Sequence, residues 1–424
     1  MNNQPNLVFV NHPISIAEPH QPPILIPCIG LHDRATGVLI SIPRLERWYV
    51  PFASDGGMAS NTLAKKAFTI CTFLNYLLEH TDISALHEVT TTIIRQFYIA
   101  YKQLPNGAPR DPESWIRGID IVTDFLSTYY RSNVGAFIWG YFPEELSESV
   151  TFRDKRGHTQ IRTKSFHFGV LPPPKKSRKN RYLVHGYLSL ILGVMKIYDP
   201  MCALAVALQA YAGLREGEVV NLTWARIREI STGYGRIGKI ELDLSSESDH
   251  ASHSKKRTSF GNIKKNRVQE VFPDFIPDVI QMLGIHEDLL IAKGLPHDLN
   301  DPLFWDKWGR PMSVNTYRRR IKEVFTHRFL PLLEKQTLED GTWAEHAPFV
   351  EAYREDYPGA HMFRHWFTMY LLEVAHLTRE EISHWRGDAC PDSMDDYIHA
   401  NSEMCRLYRD ISFSFQSDLF EVIR

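Results

Sequence analysis

The chain has 424 residues, 43% of them hydrophobic, and its 48 lysines and arginines and 50 aspartates and glutamates give a net charge of −2. This composition suffices for roughly two to three domains with cores of their own, and it argues against a uniformly basic nucleic-acid binder. The five cysteines lack C-x-x-C spacing, and the chain has neither a membrane-length apolar run nor a signal-like start. A zinc site, a disulfide framework and a membrane span are therefore not expected, and the protein is predicted to be soluble and cytoplasmic.

The first 170 residues predict an arm followed by a small helical domain. Residues 1–55 are rich in proline and β-forming residues, and we interpret them as an N-terminal arm with short strands. Helical periodicity then predicts three helices, at 59–80, 90–104 and 112–130. Asp111 is the expected N-cap of the third helix and Pro112 its first residue. Residues 56–170 are predicted to form one domain.

A basic segment, L-P-P-P-K-K-S-R-K-N-R at 171–181, is predicted to link this domain to the rest of the chain. Its prolines stiffen it, and its cations suit a strap lying along a phosphate backbone. These cations are Lys175, Lys176, Arg178, Lys179 and Arg181.

Residues 182–424 predict a second domain that is mostly helical. Apolar helices end at Gly213, an alternating stretch at 236–244 predicts a strand of a β-hairpin, and Ser313 is the expected N-cap of a later helix. Residues 329–358 read as an insertion of unassigned structure. For the whole chain we predict a mainly α fold with a small antiparallel β-sheet (α+β).

Two short motifs carry residue types suited to binding an anion. In A-G-L-R-E-G-E, Arg215 follows a helix break and Glu218 lies one turn further on, where it can orient the guanidinium. In H-M-F-R-H, His361 and Arg364 are three apart and share one helix face. Arginine matches two phosphate oxygens, and histidine donates a hydrogen bond or moves a proton near neutral pH.

A tyrosine follows at the end of this order. Tyr397 stands in M-D-D-Y-I-H-A, and a tyrosine hydroxyl can act as a covalent nucleophile. Taken singly, each motif is also compatible with an ordinary surface salt bridge or helix start. Their ordered combination indicates a metal-free phosphoryl-transfer site.

In this order the motifs resemble those of the tyrosine recombinases, the phage-integrase family of site-specific DNA recombinases. The resemblance covers about residues 182–412 and rests on G-x-R-x-x-E-x-x-x-L, H-x-x-R-H and Y-x-H. It implies a helical core-binding domain that clamps DNA opposite a catalytic domain at 182–424. It also implies a catalytic Arg215, His361, Arg364 and Tyr397, and a reaction that needs neither metal nor other cofactor.

The chain departs from the family pattern at one position. The family has a His or Trp after a glycine, nine residues before the tyrosine; here Gly387 is followed by Asp388. An aspartate repels a phosphate, so we interpret Asp388 as an orienting residue, like Glu218. His384 is assigned the vacant catalytic role, and Trp385 and Arg386 are the alternatives.

The family's catalytic lysine lies on the β-hairpin. Lys264 is the first candidate here and Lys256 the alternative. Other cations of the hairpin are expected to contact DNA phosphates, chiefly Arg257 and Lys265 together with Lys256. The run Arg318 to Arg320 is equally compatible with DNA contact and with a solvated surface.

The function implied by the resemblance is site-specific cutting and rejoining of double-stranded DNA through a 3′-phosphotyrosyl intermediate, serving a mobile element. The expected assembly is a homotetramer on two DNA sites, with possible accessory proteins, in a bacterial nucleoid. Asp388 favours one alternative, an accessory DNA-binding protein with this fold but degenerate chemistry. A topoisomerase using the same residues is a further alternative.

Overall fold

A computed structural model describes residues 6–16, 24–49, 60–132, 146–153, 159–174, 182–231, 236–244, 263, 266–339 and 345–388. The chain divides into two compact units, 1–177 and 178–424. The division lies within the segment predicted as a linker, while the roles assigned to the domains stay predictions. Both units are mainly helical with small antiparallel sheets, which confirms the predicted fold class.

The first unit begins with a three-stranded antiparallel sheet. Its strands are β1 (Leu7–Ile16), β2 (Ile24–Asp33) and β3 (Leu39–Ser41), in that spatial order. Strands β1 and β2 pair over their full ten residues, so they are longer than the short strands expected of an arm. Ile29 and Leu45 lie in the same core as the helices that follow. The described part of the expected arm is thus integrated into the folded unit.

Three helices complete most of this core: α1 (Ser60–His80), α2 (Thr91–Ala100) and α3 (Pro112–Ser132). Asp111 accepts a hydrogen bond from the amide of Ser114 at 3.0 Å, which confirms the predicted N-cap. The large side chains of Phe73, Phe97, Trp115 and Phe125 are buried between the helices.

An antiparallel pair of strands, β4 (Ser147–Arg153) and β5 (Thr159–Ser165), follows α3. The three helices predicted for residues 56–170 do not include this segment. Ser165 donates a hydrogen bond to Asp120 of α3 at 2.7 Å, so the end of β5 is attached to the helical core.

The second unit packs its helices around an almost wholly apolar central helix, α5, whose residues are buried along its length. The helices are α4 (His185–Tyr198), α5 (Pro200–Tyr211), α6 (Glu216–Val220), α7 (Ile276–Ala292), α8 (Val314–Val324), α9 (Leu330–Glu339), α10 (Ala347–Glu355), α11 (Met362–Glu373) and α12 (Arg379–Arg386). The amide of Thr316 donates to Ser313 at 3.2 Å, which confirms Ser313 as the cap of α8.

The predicted hairpin is part of a three-stranded antiparallel sheet. Its strands are β6 (Ile227–Ser231), β7 (Ile237–Asp243) and β8 (Val268–Glu270). Strand β7 is the strand read from the alternation, and it pairs with β8 from Glu241 opposite Glu270 to Asp243 opposite Val268. Ile240 and Leu242 point into the helical core.

The described part of residues 329–358 is mostly helical. A π-helical turn at Phe325–Phe329 leads into α9, and α10 follows. Leu333 and Phe349 are buried in the main core of the unit. The described residues of this segment therefore belong to the helical core, and its interpretation as an insertion stays a prediction.

In the part of the chain that the structure describes, no helix is long and apolar enough to cross a membrane.

Candidate anion-binding site

The first motif places Arg215 at the N-terminus of α6, directly after a tight turn. Gly213 adopts a left-handed backbone with φ of 63°, as predicted for a residue that ends the preceding helix. A side chain at 213 would also meet the ring of Phe367, since an added Cβ would lie 2.5 Å from Cδ1. The turn therefore requires glycine, and it fixes where Arg215 begins.

Glu218 orients Arg215 from within the core. Its carboxylate is fully buried and accepts from the Arg215 amide at 2.7 Å and from Arg215 Nη1 at 2.9 Å. It also accepts two hydrogen bonds from Arg267, at 2.8 and 3.0 Å. Burial by itself would raise the pKa of Glu218, but the hydrogen bonds and charges of the two arginines outweigh it and lower the pKa to about 2. Glu218 is consequently ionised at neutral pH.

Arg364 is almost completely buried, with 1% of its surface exposed. It donates to the carbonyl oxygens of Gly213 and of Arg386, the latter at 2.9 Å. Burial lowers the pKa of Arg364 to about 9, and the neighbouring charges of Arg386 and Arg215 add to the shift. A pKa of about 9 still leaves the guanidinium charged at pH 7, so a buried cation is held in place by backbone carbonyls.

The two arginines meet at the carboxylate of Asp388. Arg215 Nη2 lies 2.7 Å and Arg364 Nη2 lies 2.9 Å from the same oxygen, Oδ1. Arg386 Nε lies 3.0 Å from the other oxygen, Oδ2. Residues from three separate places in the sequence thus converge on one anion, while the orienting role of Asp388 stays a prediction.

Among the described residues, this cluster holds more positive than negative charge. Glu218 and Asp388 are the two carboxylates that four guanidinium groups share. Those groups belong to Arg215, Arg267, Arg364 and Arg386. Partly buried cations in excess favour an anion at the position that the Asp388 carboxylate occupies, because water screens them poorly.

His361 is the N-cap residue of α11 and lies one turn before Arg364. Its ring makes an edge-on contact with His365, with the centroids 5.1 Å apart. His361 is half-buried and so has access to solvent. Its assignment as a catalytic donor stays a prediction.

The end of α12 presents Arg386 rather than His384 to the arginine cluster. His384 is exposed, while Arg386 is buried and contacts Asp388. Trp385 packs its ring against Phe272, with the centroids 4.9 Å apart, which makes it a core residue. Of the three candidates for the vacant family position, the structure brings Arg386 to the arginines; the role of His384 stays a prediction.

Several assigned residues lie outside the described residues. These are the nucleophile candidate Tyr397, the lysine candidates Lys264 and Lys256, the hairpin cations Arg257 and Lys265, and the linker cations Lys175, Lys176, Arg178, Lys179 and Arg181.

Arg267, a further cation of the predicted hairpin, contacts a buried carboxylate of the protein. Arg267 is largely buried and lies behind Arg215, on the other side of Glu218. It precedes β8 by one residue, so it connects the sheet to the arginine cluster.

The run Arg318 to Arg320 is also largely accounted for by the protein itself. Arg318 Nε donates to Glu216 at 2.5 Å, and Arg320 Nε donates to Asp199 at 2.7 Å. Both arginines thus have carboxylate partners within the protein, while a contact of the run with DNA stays a prediction.

Among the described residues, no group of three or more histidine, cysteine, aspartate or glutamate side chains is arranged to hold a metal ion.

No model of a protein family and no curated protein matches the chain. Solved structures do match. The XerH site-specific recombinase in a post-cleavage complex with its difH substrate is 15% identical, with 83% of this chain and 78% of that chain covered and a TM-score of 0.47. A lambda integrase dimer bound to a COC′ core site is 13% identical, with 83% and 92% covered and a TM-score of 0.48.

The integrase of the Tn1549 transposon, in complex with transposon right end DNA, is 13% identical, with 87% and 96% covered and a TM-score of 0.45. These structural neighbours are recombinases and integrases, the class that the sequence resembles. At such identities and TM-scores the likeness supports no inference about single residues or activity, which must come from the arginine cluster itself.

Proposed function

We propose that this protein is a DNA strand transferase of the tyrosine-recombinase type, which cuts and rejoins DNA at specific sites through a 3′-phosphotyrosyl intermediate. The observation that carries the proposal is the convergence of Arg215 and Arg364, distant in sequence, on one anionic oxygen. Both guanidinium groups are held by buried partners, Glu218 for Arg215 and two backbone carbonyls for Arg364. Preorganised donors of this kind stabilise charge that develops in a transition state.

In the proposed reaction the hydroxyl oxygen of Tyr397 attacks a scissile phosphorus atom as the bond to the 5′-oxygen breaks. Negative charge then grows on the nonbridging oxygens, where Arg215 and Arg364 donate. His361, one turn before Arg364, is assigned a further hydrogen bond or the transfer of the phenolic proton. Lys264, or Lys256 in its place, protonates the leaving 5′-oxygen.

Because the phosphotyrosyl bond retains the energy of the broken phosphodiester, rejoining to another strand requires neither ATP nor a metal ion in this scheme. Double-stranded DNA is the proposed partner, with a homotetramer on two DNA sites as the proposed assembly. The basic linker residues and the hairpin cations supply the proposed contacts with the phosphate backbone.

The test is a search for covalent protein–DNA adducts on denaturing gels. The substrates are nicked duplexes that tile the DNA around the gene, together with a randomised pool, because the target sequence is unknown. We expect adducts with the wild-type protein and none with Tyr397→Phe, which should still bind DNA. Tyr198→Phe is the matched control, since Tyr198 is an exposed tyrosine at the end of α4.

Adducts that persist in Tyr397→Phe would place the nucleophile elsewhere, with Tyr408 as the next candidate. Relaxation of supercoiled plasmids of unrelated sequence would instead indicate the related topoisomerase chemistry.

A second candidate function is a DNA-binding accessory protein without strand-transfer chemistry. One observation favours it: the carboxylate of Asp388 already occupies the arginine pair. Salt-sensitive DNA binding without any adduct across the whole substrate pool would support this candidate and contradict the first.

A further inference from the structure

Asp388 satisfies the donors that a phosphate would use. A carboxylate and a phosphodiester each carry one negative charge and present two oxygens that match the guanidinium fork. Here Oδ1 accepts from both Arg215 and Arg364, and Oδ2 forms an ion pair with Arg386, whose Nε lies 3.0 Å away. The side chain therefore acts as an internal anion in the site.

The backbone of Asp388 is fixed at this position by the end of α12. Its amide donates to the carbonyl of Ser383 at 3.0 Å, and Gly387 adopts the left-handed conformation that closes a helix, with φ of 61°. An added Cβ at Gly387 would lie 2.1 Å from Arg267 Nε, so the turn is packed against a buried side chain.

We propose that Asp388 is a specificity-determining residue that excludes small anions from the arginine site and yields only to a phosphodiester held by a bound duplex. The displacement of Asp388 by DNA, the second part of this inference, rests on the proposed function. The first part, the exclusion of free anions, concerns the arginine site alone.

The physical reason is competition between like charges for the same donors. A free sulfate or phosphate ion beside Asp388 would place two anions on one set of guanidinium groups, which is unfavourable. A free ion has no other contacts with which to offset the displacement of the carboxylate. A duplex has many, because each neutralised backbone phosphate releases counterions and adds affinity.

A purely supporting role for Asp388 makes the opposite prediction. If the carboxylate served only to hold the arginines in position, its removal would disorder them and weaken the binding of every anion. The two roles can therefore be separated by measuring anion binding directly.

The experiment measures the binding of inorganic sulfate to the full-length protein at low ionic strength, by isothermal calorimetry and by the shift in melting temperature. Asp388→Asn keeps the shape of the side chain and removes its charge. We expect this variant to bind sulfate at least about tenfold more tightly than the wild type, the effect of one charge-assisted hydrogen bond. Without sulfate, Asp388→Asn should melt at a lower temperature than the wild type. Added sulfate should raise the melting temperature of the variant back towards that of the wild type.

Two further variants keep the test decisive. Asp388→Glu retains the charge and should exclude sulfate as the wild type does. Asp306→Asn removes a carboxylate that pairs with Arg310 away from the site, at 2.9 Å, and should not gain sulfate affinity. Equal or weaker sulfate binding by Asp388→Asn than by the wild type would overturn the inference.

A second assay adds DNA. Inorganic phosphate at a fixed concentration should compete with adduct formation by Asp388→Asn and leave the wild type unaffected. Equal inhibition of both proteins would overturn the inference. A complete lack of adducts with both proteins, combined with the expected sulfate result, would contradict the proposed function and leave the exclusion of small anions standing.

Discussion

The arginines of α8 and the arginines around Asp388 use the same interactions to different ends. On α8 two guanidinium groups have a carboxylate each: Arg318 pairs with Glu216, and Arg320 with Asp199. Around Asp388, three guanidinium groups contact one carboxylate. The difference shows that an excess of cations over nearby carboxylates marks a candidate anion site better than a run of arginines in the sequence.

The largest difference between the two groups is expected when one arginine is removed from each. Arg364→Ala, and likewise Arg215→Ala, should slow adduct formation by about 10²–10³-fold, because each removes a preorganised donor to the reacting phosphate. Single-turnover rates on a nicked duplex measure the loss. Arg318→Ala is the control and should react at a rate close to the wild type. A small effect in the site variants would remove their assigned role.

A smaller effect is expected from substitution of Glu218, whose carboxylate binds both Arg215 and Arg267. A group whose pKa is depressed on folding stabilises the protein above its ordinary pKa of 4.5, and this contribution is lost as the pH falls through its folded pKa of about 2. Glu218→Gln should therefore lower the free energy of unfolding at pH 7 by about 3 kcal/mol.

The pH dependence sharpens this test. The difference in free energy of unfolding between the wild type and Glu218→Gln, measured by urea denaturation, should be constant from pH 7 to about 5 and shrink below that value. A difference that does not vary with pH would show that the loss comes from packing and not from the charge.

The smallest effect is expected on α8. Arg318 is more than half exposed where it meets Glu216, and exposed ion pairs contribute between 0 and about 1 kcal/mol. Arg318→Ala should accordingly lower the free energy of unfolding by less than about 1 kcal/mol, again by urea denaturation. A larger loss would mean that the two groups of arginines differ less than their exposure indicates.

Local chemistry in the sequence predicted much of the fold. Asp111 and Ser313 cap their helices because their side chains bond to amides three residues away, and Gly213 ends a helix through its own backbone conformation. Such signals depend on neighbours along the chain, so one sequence suffices to read them. The same holds for the placement of His361 one helical turn before Arg364.

Long-range pairing could not be predicted in this way. Arg267 and Glu218 are 49 residues apart, and no local pattern distinguishes a cation that is buried against a carboxylate from one that faces DNA. The strands β4 and β5 were missed for a similar reason, since the charged residues there hide the alternation. The placement of Asp388 on two arginines depends on three helix ends meeting, which only the folded chain reveals.

Arg364 draws its orientation from main-chain oxygens, those of Gly213 and Arg386. A carbonyl group is present whatever side chain a residue carries, so substitutions at many surrounding positions leave the direction of this guanidinium unchanged. Chains with very different sequences could keep the same orientation of this guanidinium, provided that the two helix ends keep their relative position. The orientation of Arg364 is then a property of the backbone and not of the neighbouring side chains.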